Sequence, residues 1–252
     1  MGAISPDKAR ELRETLGLPR IEAIPLPASV VDFANDCCVT LDEAAAGTAQ
    51  MVTRPWPREW EYLADVLNAL DAEKWLRVDK SGQVLVSWAC IVYYLKQVLT
   101  HRGYRVGYYC QTMSKAAQHI ESRFWRLYQN IPARYAKPHV ELNGGILTVY
   151  HDGPTQPATA WIHPMAAEQA VLDAAADKMR SLTWTAALID EGAFMRNLEE
   201  LVSSLQPRTQ RLTIASTMNG QEHFHRLGFG DVKNERAQPS TSGEVTDDGH
   251  WR

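Results

Sequence analysis

The sequence has no long hydrophobic run and few cysteines. No apolar stretch reaches the roughly 18 residues that a bilayer-spanning helix needs, and the N-terminus has no apolar signal-peptide core. The four cysteines show neither a CxxC spacing nor the density of a disulfide scaffold. These absences argue against a transmembrane helix and against a disulfide-rich secreted domain. We therefore expect a reducing, cytosolic setting with no membrane partner.

An excess of basic charge is also lacking. The net charge of −4 at pH 7 excludes a uniformly basic nucleic-acid-binding protein but is compatible with a local basic patch. Residues 96–138 contain one acid, Glu121, among basic residues: Lys96, Arg102, Arg105, Lys115, Arg123, Arg126, Arg134 and Lys137. Such a segment can follow a phosphate backbone. Scattered solvated charges on two helices explain the same composition, and both interpretations stay open.

The chain is long enough for one sizeable α/β domain, with 252 residues of which 45% are hydrophobic. Residues 1–50 predict a helical lead-in, with one helix at 5–17 and the pattern of a capping box at Thr40 to Glu43. Alternating strands and helices over 51–230, among them helices at 114–128 and 221–227, predict a mostly parallel sheet flanked by helices, with an Asn143-Gly144 hairpin near one end. Residues 231–252 are polar and predict a disordered tail.

One predicted strand begins at Trp184 and ends in Asp190 and Glu191. In open α/β sheets the carboxyl ends of strands face the crevice where ligands bind. Such a pair suits nucleotide hydrolysis, because one carboxylate can help to hold Mg²⁺ while the other orients or deprotonates a water. A strand that runs into a solvated acidic turn explains the same segment equally well.

A second predicted strand begins at Arg211 and ends in the small polar residues Ser216, Thr217 and Asn219. Hydroxyl and amide groups at this position can sense a γ-phosphate and pass the signal to a moving element. Two apolar strands that both end in polar side chains favour a shared site more strongly than either strand alone.

A polar loop between a strand at Trp75–Val78 and an apolar helix is the third candidate. This order is typical of a phosphate-binding loop, where backbone N–H groups and a helix N-terminus face an anion. The regular Gly-x4-Gly-Lys-[Ser/Thr] signature is absent, and only Ser87 fits its last position, where a hydroxyl would reach Mg²⁺. An ordinary strand-to-helix connection remains the alternative.

The order of these motifs resembles the ATPase domain of the tailed-phage terminase large subunit. The matching segments are Arg-Pro-Trp at 54–56, Lys-Ser-x-Gln at 80–83 with Ser87-Trp88, Arg180-Ser-Leu-Thr before Leu-Ile-Asp190-Glu191-Gly-Ala-Phe194-Met, and Ser216-Thr217-x-Asn219-Gly220 with Phe224. The resemblance covers residues 50 to 230 and implies a P-loop NTPase fold of the ASCE (RecA-like) class. It also implies ATP and Mg²⁺ as cofactors and a motor that drives double-stranded DNA into the procapsid.

The resemblance further implies partners, a location and residue roles. The partners would be the portal protein, the terminase small subunit and further copies of the chain in a ring, all in the host cytoplasm. The implied nucleotide-binding residues are Lys80, Ser81, Gly82, Gln83, Ser87 and Trp56. The implied metal ligands are Ser87 and Asp190, and the implied coupling residues are Ser216, Thr217 and Asn219. The implied catalytic residues are Glu191, which would activate water, Lys80, and Arg180, which would act on a neighbouring subunit. A plain surface arginine is the alternative for Arg180.

Several positions depart from the family pattern. Gly82 replaces an arginine, whose loss from a phosphoryl-transfer site can cost about 10³–10⁵ in rate. Leu85 replaces a glycine, so a left-handed backbone there would cost about 1–2 kcal/mol, and its side chain would crowd the phosphate site. Pro57 stands where relatives often have the glutamine that reads adenine. The family's nuclease domain has no counterpart after residue 230.

We therefore expect an ATPase motor domain without its nuclease. Two alternatives remain at this point. One is a catalytically silent remnant or assembly module with a degenerate phosphate loop, which Gly82 and Leu85 favour. The other is a different nucleic-acid-stimulated P-loop ATPase, such as a helicase-like translocase, which would use the same two acids.

Overall fold

Helices and strands alternate along the chain in the computed structural model, which describes residues 15, 23–41, 53–80, 85–167 and 183–217. The strands are β1 (Ile24–Pro25), β2 (Val39–Leu41), β3 (Thr53–Pro55), β4 (Trp75–Lys80), β5 (Arg105–Cys110), β6 (Tyr135–Ala136), β7 (His139–Asn143), β8 (Ile146–Tyr150), β9 (Ala160–Ala166), β10 (Trp184–Asp190) and β11 (Thr209–Thr217). The helices are α1 (Val30–Cys37), α2 (Glu61–Ala72), α3 (Val86–Thr100), α4 (Met113–His119), a π-helix (Ile120–Trp125), α5 (Arg126–Asn130) and α6 (Leu198–Leu205).

Seven of the strands form one sheet in the order β4-β11-β10-β5-β9-β8-β7. The pairs from β4 to β9 are parallel, whereas β8 pairs antiparallel with both β9 and β7. A parallel sheet needs helical crossovers that cover its faces, so its central strands read as nearly continuous apolar runs. The predicted α/β class, a mostly parallel sheet flanked by helices, is confirmed.

The helix α3 fills the centre of one face of the sheet. Its sequence is apolar on every side, and 13 of its 15 residues are buried, as expected for a helix that is enclosed by other elements. It packs against α2 and α1 on one side and against the sheet on the other. A second apolar cluster, built by α6 with β10 and β11, covers the opposite face. The domain therefore has three layers.

The predicted hairpin is present as β7–β8, but its two turn residues are Gly144 and Gly145 and not Asn143-Gly144, because Asn143 still pairs with Ile146. Gly144 and Gly145 both have positive φ, at 57° and 80°, as a type I′ turn requires. A Cβ on Gly145 would lie 2.6 Å from the Cβ of Ala117. Glycine is therefore needed for the hairpin to approach α4, the helix that forms one wall of the cavity described below.

Two sequence predictions differ from the structure. Thr40 lies in β2, where it pairs antiparallel with Arg54 of β3, so the predicted capping box at Thr40 was wrong. The helix predicted from 114 to 128 is present but contains the π-helical segment 120–125. The predicted helix at 5–17, that at 221–227 and the polar tail at 231–252 lie outside the described residues, apart from Thr15. Within the described part of the chain, no helix has the length and apolarity of a membrane span.

Candidate functional site

Three strands of the sheet end at the same edge. In the parallel register Thr217 of β11 lies beside Lys80 of β4, and Asp190 of β10 lies beside Ala215 of β11. Because the strands run in one direction, their carboxyl ends bring the predicted lysine, acids and hydroxyl residues to a single crevice. This juxtaposition joins positions that are far apart in the sequence.

A cavity of about 230 Å³ lies at this edge. Its lining residues come from the ends of three strands, the first turn of α3, and α4 with the π-helix: Lys80, Leu85, Val86, Ser87, Trp88, Lys115, His119, Arg123, Asp190, Glu191 and Thr217. Five of the predicted site residues are in this set, namely Lys80, Ser87, Asp190, Glu191 and Thr217.

Glu191 connects the three strand ends through its carboxylate. Lys80 Nζ donates a hydrogen bond to Glu191 Oε1 at 2.7 Å. The backbone N–H and the hydroxyl of Thr217 donate to Glu191 Oε2 at 3.3 and 3.4 Å. The side chain of Lys80 is 10% exposed and that of Glu191 is 30% exposed. The ion pair is therefore shielded from water on the lysine side and open to the cavity on the carboxylate side.

Asp190 is buried, and both of its carboxylate oxygens accept hydrogen bonds. The Ser87 hydroxyl donates to Oδ1 at 2.7 Å, and the Tyr108 hydroxyl donates to Oδ2 at 2.9 Å. Burial, with a smaller effect of Asp190, raises the pKa of Tyr108 well above its usual range, so the phenol keeps its proton and remains a donor. Arg123 Nη1 lies 3.5 Å from Oδ2 and supplies positive charge.

The oxygen atoms of Ser87 and Asp190 fit a magnesium ion. Mg²⁺ prefers hard oxygen ligands and commonly takes only one or two from the protein, the rest coming from phosphates and water. A carboxylate and a hydroxyl already in contact meet that need. The described residues contain no group of three or more His, Cys, Asp or Glu side chains that would hold a metal ion alone. The donor set is therefore suited to a metal that arrives with a phosphate ligand.

The backbone is strained at two positions that line the cavity. Leu85 (φ 52°, ψ 11°) and Glu191 (φ 59°, ψ 43°) are left-handed, and they are the only non-glycine residues with positive φ in the described ranges. Each such residue costs about 1–3 kcal/mol, and strain of this kind concentrates at functional sites. The left-handed conformation considered for Leu85 from the sequence is present. Its half-buried side chain packs on the core and also lines the cavity.

The first turn of α3 faces the cavity without a capping side chain. Leu85 occupies the N-cap position and makes no side-chain hydrogen bond to the helix. The N–H groups of a first helical turn have no partner inside the helix. Together with the helix dipole they form an anion-binding end, and Val86, Ser87 and Trp88 of this turn line the cavity.

Ser216 stabilises the turn that follows Glu191. It is fully buried, and its hydroxyl oxygen accepts a hydrogen bond from the backbone N–H of Ala193 at 2.9 Å. This contact fastens the turn that follows Glu191 to the end of β11. A Cβ on Gly192 would lie 2.8 Å from Ile214 Cγ2, so this turn also requires a residue without a side chain.

One predicted nucleotide-binding residue that the structure describes does not line the cavity. Trp56 is 5% exposed, belongs to the main core, and is absent from the cavity lining. The remaining predicted residues lie outside the described residues: Ser81, Gly82, Gln83, Arg180 and Asn219.

Four residues of the site were not singled out as site residues from the sequence: Tyr108, Lys115, His119 and Arg123. The last three stand four residues apart, a spacing that places them on one face of a helix. Burial, followed by the charge of Arg123, lowers the pKa of His119 to about 4, so its ring is neutral at pH 7. His119 Nδ1 lies 2.9 Å from the Tyr108 hydroxyl. The four-residue spacing of these three basic side chains was the signal in the sequence that could have identified them.

The basic residues between 96 and 138 have separate surroundings. Lys96 is buried, Arg102 pairs with Asp152, and the Arg134 guanidinium lies over the Tyr135 ring. Lys137 donates to the backbone carbonyl oxygens of Tyr128 and Ile131. These contacts favour the interpretation of scattered charges for this part of the segment, whereas Lys115 and Arg123 line the cavity.

Structural relatives of the chain are phage large terminases. The large terminase of a thermophilic bacteriophage aligns with a TM-score of 0.51 and 16% identity, over 69% of this chain and 43% of that protein. The chain thus spans less than half the length of that relative. The ATPase domain of the Thermus phage P74-26 large terminase aligns with a TM-score of 0.43 and 18% identity, over 66% of this chain and 72% of that domain.

No protein-family model matches the sequence, and no curated protein matches it significantly. The resemblance inferred from the sequence motifs is confirmed for the fold, and the chain shares the α/β fold of the large terminase of the thermophilic bacteriophage.

Proposed function

We propose that this chain binds ATP with Mg²⁺ and hydrolyses its terminal phosphate. The observation that carries the proposal is the meeting of Lys80, Ser87 and Asp190 with Glu191 and Thr217 around one cavity at the carboxyl edge of the sheet. A cation, a helix N-terminus, a hydroxyl–carboxylate pair and a second carboxylate are the parts that phosphoryl transfer requires.

Lys80 is the residue that we assign to phosphate binding. Its ammonium group contacts Glu191 in the structure, and phosphate oxygens that entered the cavity would compete for it. The uncapped first turn of α3 would contribute backbone N–H groups to the same phosphates. The ion pair therefore keeps Lys80 in position before the ligand arrives.

Ser87 and Asp190 are the residues that we assign to Mg²⁺. A magnesium ion held by these two side chains would supply charge neutralisation on the transferred phosphate. The hydrogen bond from Tyr108 to Oδ2 holds the carboxylate with Oδ1 on the Ser87 side, where the ion would bind. Tyr108 is thus a positioning residue that acts through Asp190.

Glu191 is the residue that we assign to water activation. When Lys80 turns to the phosphates, Oε1 becomes free to accept a proton from a water, while Thr217 still holds Oε2. The water oxygen would then bond to the terminal phosphorus as the bond to the leaving diphosphate oxygen breaks. Thr217 therefore links the acid to the end of β11, where a coupling element would sense the change.

Phosphate release from ATP with Mg²⁺ tests this assignment. We expect turnover by the wild type, and a loss of about 10²-fold or more in Glu191→Gln with nucleotide binding retained, because Gln cannot take the proton. Glu121→Gln, which changes an exposed acid outside the cavity, is the matched control and should keep wild-type turnover. Unchanged turnover in Glu191→Gln would remove Glu191 from its proposed role.

We further propose that the ATPase serves the packaging of phage DNA. The packaging role rests on the fold shared with the large terminase of the thermophilic bacteriophage and on the order of the sequence motifs. The expected partners are therefore double-stranded DNA, the portal protein and the terminase small subunit. ATP turnover should rise when double-stranded DNA is added. An ATP turnover rate that is the same with and without double-stranded DNA at low salt would argue for an ATPase with another role.

A silent remnant is the second candidate, and Leu85 is the observation that favours it. A leucine side chain lines the cavity at a left-handed position where glycine would leave more room. In this case the wild type would not bind ATP, and the double variant Gly82→Arg with Leu85→Gly would restore binding. A wild type that hydrolyses ATP excludes this candidate.

A further inference from the structure

One arginine from outside the phosphate loop lines the cavity. Arg123 lies on the π-helix, and its side chain is 21% exposed. Its guanidinium sits 3.5 Å from Asp190 Oδ2 and 5.8 Å from the centre of the Trp88 ring. Trp88 belongs to the first turn of α3, so the guanidinium lies near a side chain of that turn as well as near the buried carboxylate.

Arg123 has unused hydrogen-bonding capacity. A guanidinium carries five N–H donors in a fixed planar fork, and within the described part of the chain those of Arg123 make one ion pair and no hydrogen bond. The contact with Asp190 is longer than a good charge-assisted hydrogen bond of about 2.7–2.9 Å. Most of the fork therefore remains available to a ligand in the cavity.

We propose that Arg123 is a further catalytic residue, which binds the terminal phosphate from within the same chain. The inference rests on the proposed function, because it assigns a residue to that same site. The phosphate loop has Gly82 where the resemblance leads us to expect an arginine, so the loop itself offers no guanidinium. Arg123 supplies one from the π-helix, which contributes to the cavity lining.

The neighbouring basic residues are less suited to this role. The half-buried His119 ring already has its Nδ1 within 2.9 Å of the Tyr108 hydroxyl, and a histidine carries no permanent charge. Lys115 is exposed, and its ammonium is a flexible point charge that cannot clamp two phosphate oxygens as a planar fork does. Arg123 alone among the three combines a permanent charge, partial burial and an aromatic support.

Charge complementarity supports the same assignment. The cavity has three permanent cations, Lys80, Lys115 and Arg123, against two carboxylates, Asp190 and Glu191. With Mg²⁺ held by Asp190 and Ser87, the charge of that carboxylate would be offset, and Arg123 would favour the anionic phosphate as its partner. Negative charge that spreads over the phosphate oxygens in the transition state would then be stabilised by the guanidinium.

The test compares Arg123→Ala and Arg123→Lys with Arg126→Ala, which removes a nearby arginine that does not line the cavity. Steady-state phosphate release gives kcat and KM. Affinities for ADP with beryllium fluoride and for ADP with aluminium fluoride report the ground state and the transition state. We expect Arg123→Ala to lower kcat by about 10³-fold and to weaken the aluminium fluoride complex by about 10²-fold or more, with a clearly smaller weakening of the beryllium fluoride complex.

Arg123→Lys keeps the positive charge beside Asp190. This variant replaces Arg123→Ala in the test if circular dichroism shows that the alanine variant does not fold. Arg123→Lys should still lose turnover by about tenfold or more, because lysine lacks the fork. Wild-type kcat in Arg123→Lys, or equal weakening of both fluoride complexes, would overturn the role of Arg123 and leave the proposed function standing. A wild type that neither binds nor hydrolyses ATP would overturn both.

Discussion

The Lys80–Glu191 ion pair allows a quantitative test of the site in the absence of any ligand. The perturbation is a double-mutant cycle with Lys80→Ala, Glu191→Ala and the double variant. A contact at 2.7 Å between side chains that are 10% and 30% exposed should couple more strongly than a surface pair, for which about 0.2–1 kcal/mol is typical.

The expected coupling follows from the contact distance and the burial of the pair. At an effective dielectric constant of about 20, Coulomb's law gives about 6 kcal/mol at this separation as an upper bound, and desolvation of the largely buried ammonium offsets much of it. We therefore expect a coupling free energy of about 1–3 kcal/mol. Each single variant should then melt some degrees below the wild type, since about 1 kcal/mol corresponds to 2–4 °C in a chain of this size.

Urea denaturation of the four proteins, without nucleotide or Mg²⁺, measures the coupling. A control cycle with Arg102→Ala and Asp152→Ala uses an ion pair whose side chains are 60% and 46% exposed, and it should give less than about 1 kcal/mol. A coupling below about 0.3 kcal/mol for Lys80 and Glu191 would show that the two strand ends do not meet as described, because independent sites add within that margin.

Three further predictions concern the walls of the cavity. Tyr108→Phe removes a donor to the buried Asp190 carboxylate and should lower the free energy of unfolding by about 1–3 kcal/mol in urea; an unchanged midpoint would contradict this hydrogen bond. His119 has a folded-state pKa of about 4, below its ordinary value of 6.5, so its contribution to stability is complete above pH 6.5 and is lost as the pH falls from 6.5 towards 4. His119→Gln should flatten this part of the stability profile, and an equal slope in both proteins would refute the assignment. Leu85→Gly relieves about 1–2 kcal/mol of backbone strain but removes a half-buried side chain, so the free energy of unfolding should change little. The affinity for fluorescent ATP should rise, because the cavity gains room. A lower affinity would mean that Leu85 helps to shape the site.

The sequence was sufficient for the strand endings but not for the contacts between them. The apolar run before Asp190 and the one before Ser216 predict strands that end at a ligand-binding edge, and both do. That Lys80 reaches Glu191 depends on β11 lying between β4 and β10, and this strand order is a property of the whole sheet. Local patterns fix the type of an element, whereas packing decides its neighbours.

Residues of the second wall illustrate the same limit. The four-residue spacing of Lys115, His119 and Arg123 places them on one helical face, but the packing of α4 against β9 and β5 turns that face to the cavity. For Trp56, the sequence predicted a site residue that the structure places elsewhere. Its place in a motif suggested a contact with nucleotide, whereas the structure buries it in the core.

The helix start predicted at Thr40 was wrong for a related reason. The letters of a capping box occur at 40–43, yet the pairing of β2 with β3 places Thr40 in a strand, because tertiary contacts override weak local preferences for a helix.

The central claim is that one triphosphate and its magnesium bind between Lys80 and the two acids. Titration of fluorescent ATP into the wild type and into Lys80→Ala, each with and without Mg²⁺, tests it most directly. We predict saturable binding by the wild type that strengthens with Mg²⁺ and weakens by about tenfold or more in Lys80→Ala, as expected when a charged hydrogen bond worth about 1.5–3 kcal/mol is lost. Binding that is equal in the two proteins, or that ignores Mg²⁺, would contradict the account.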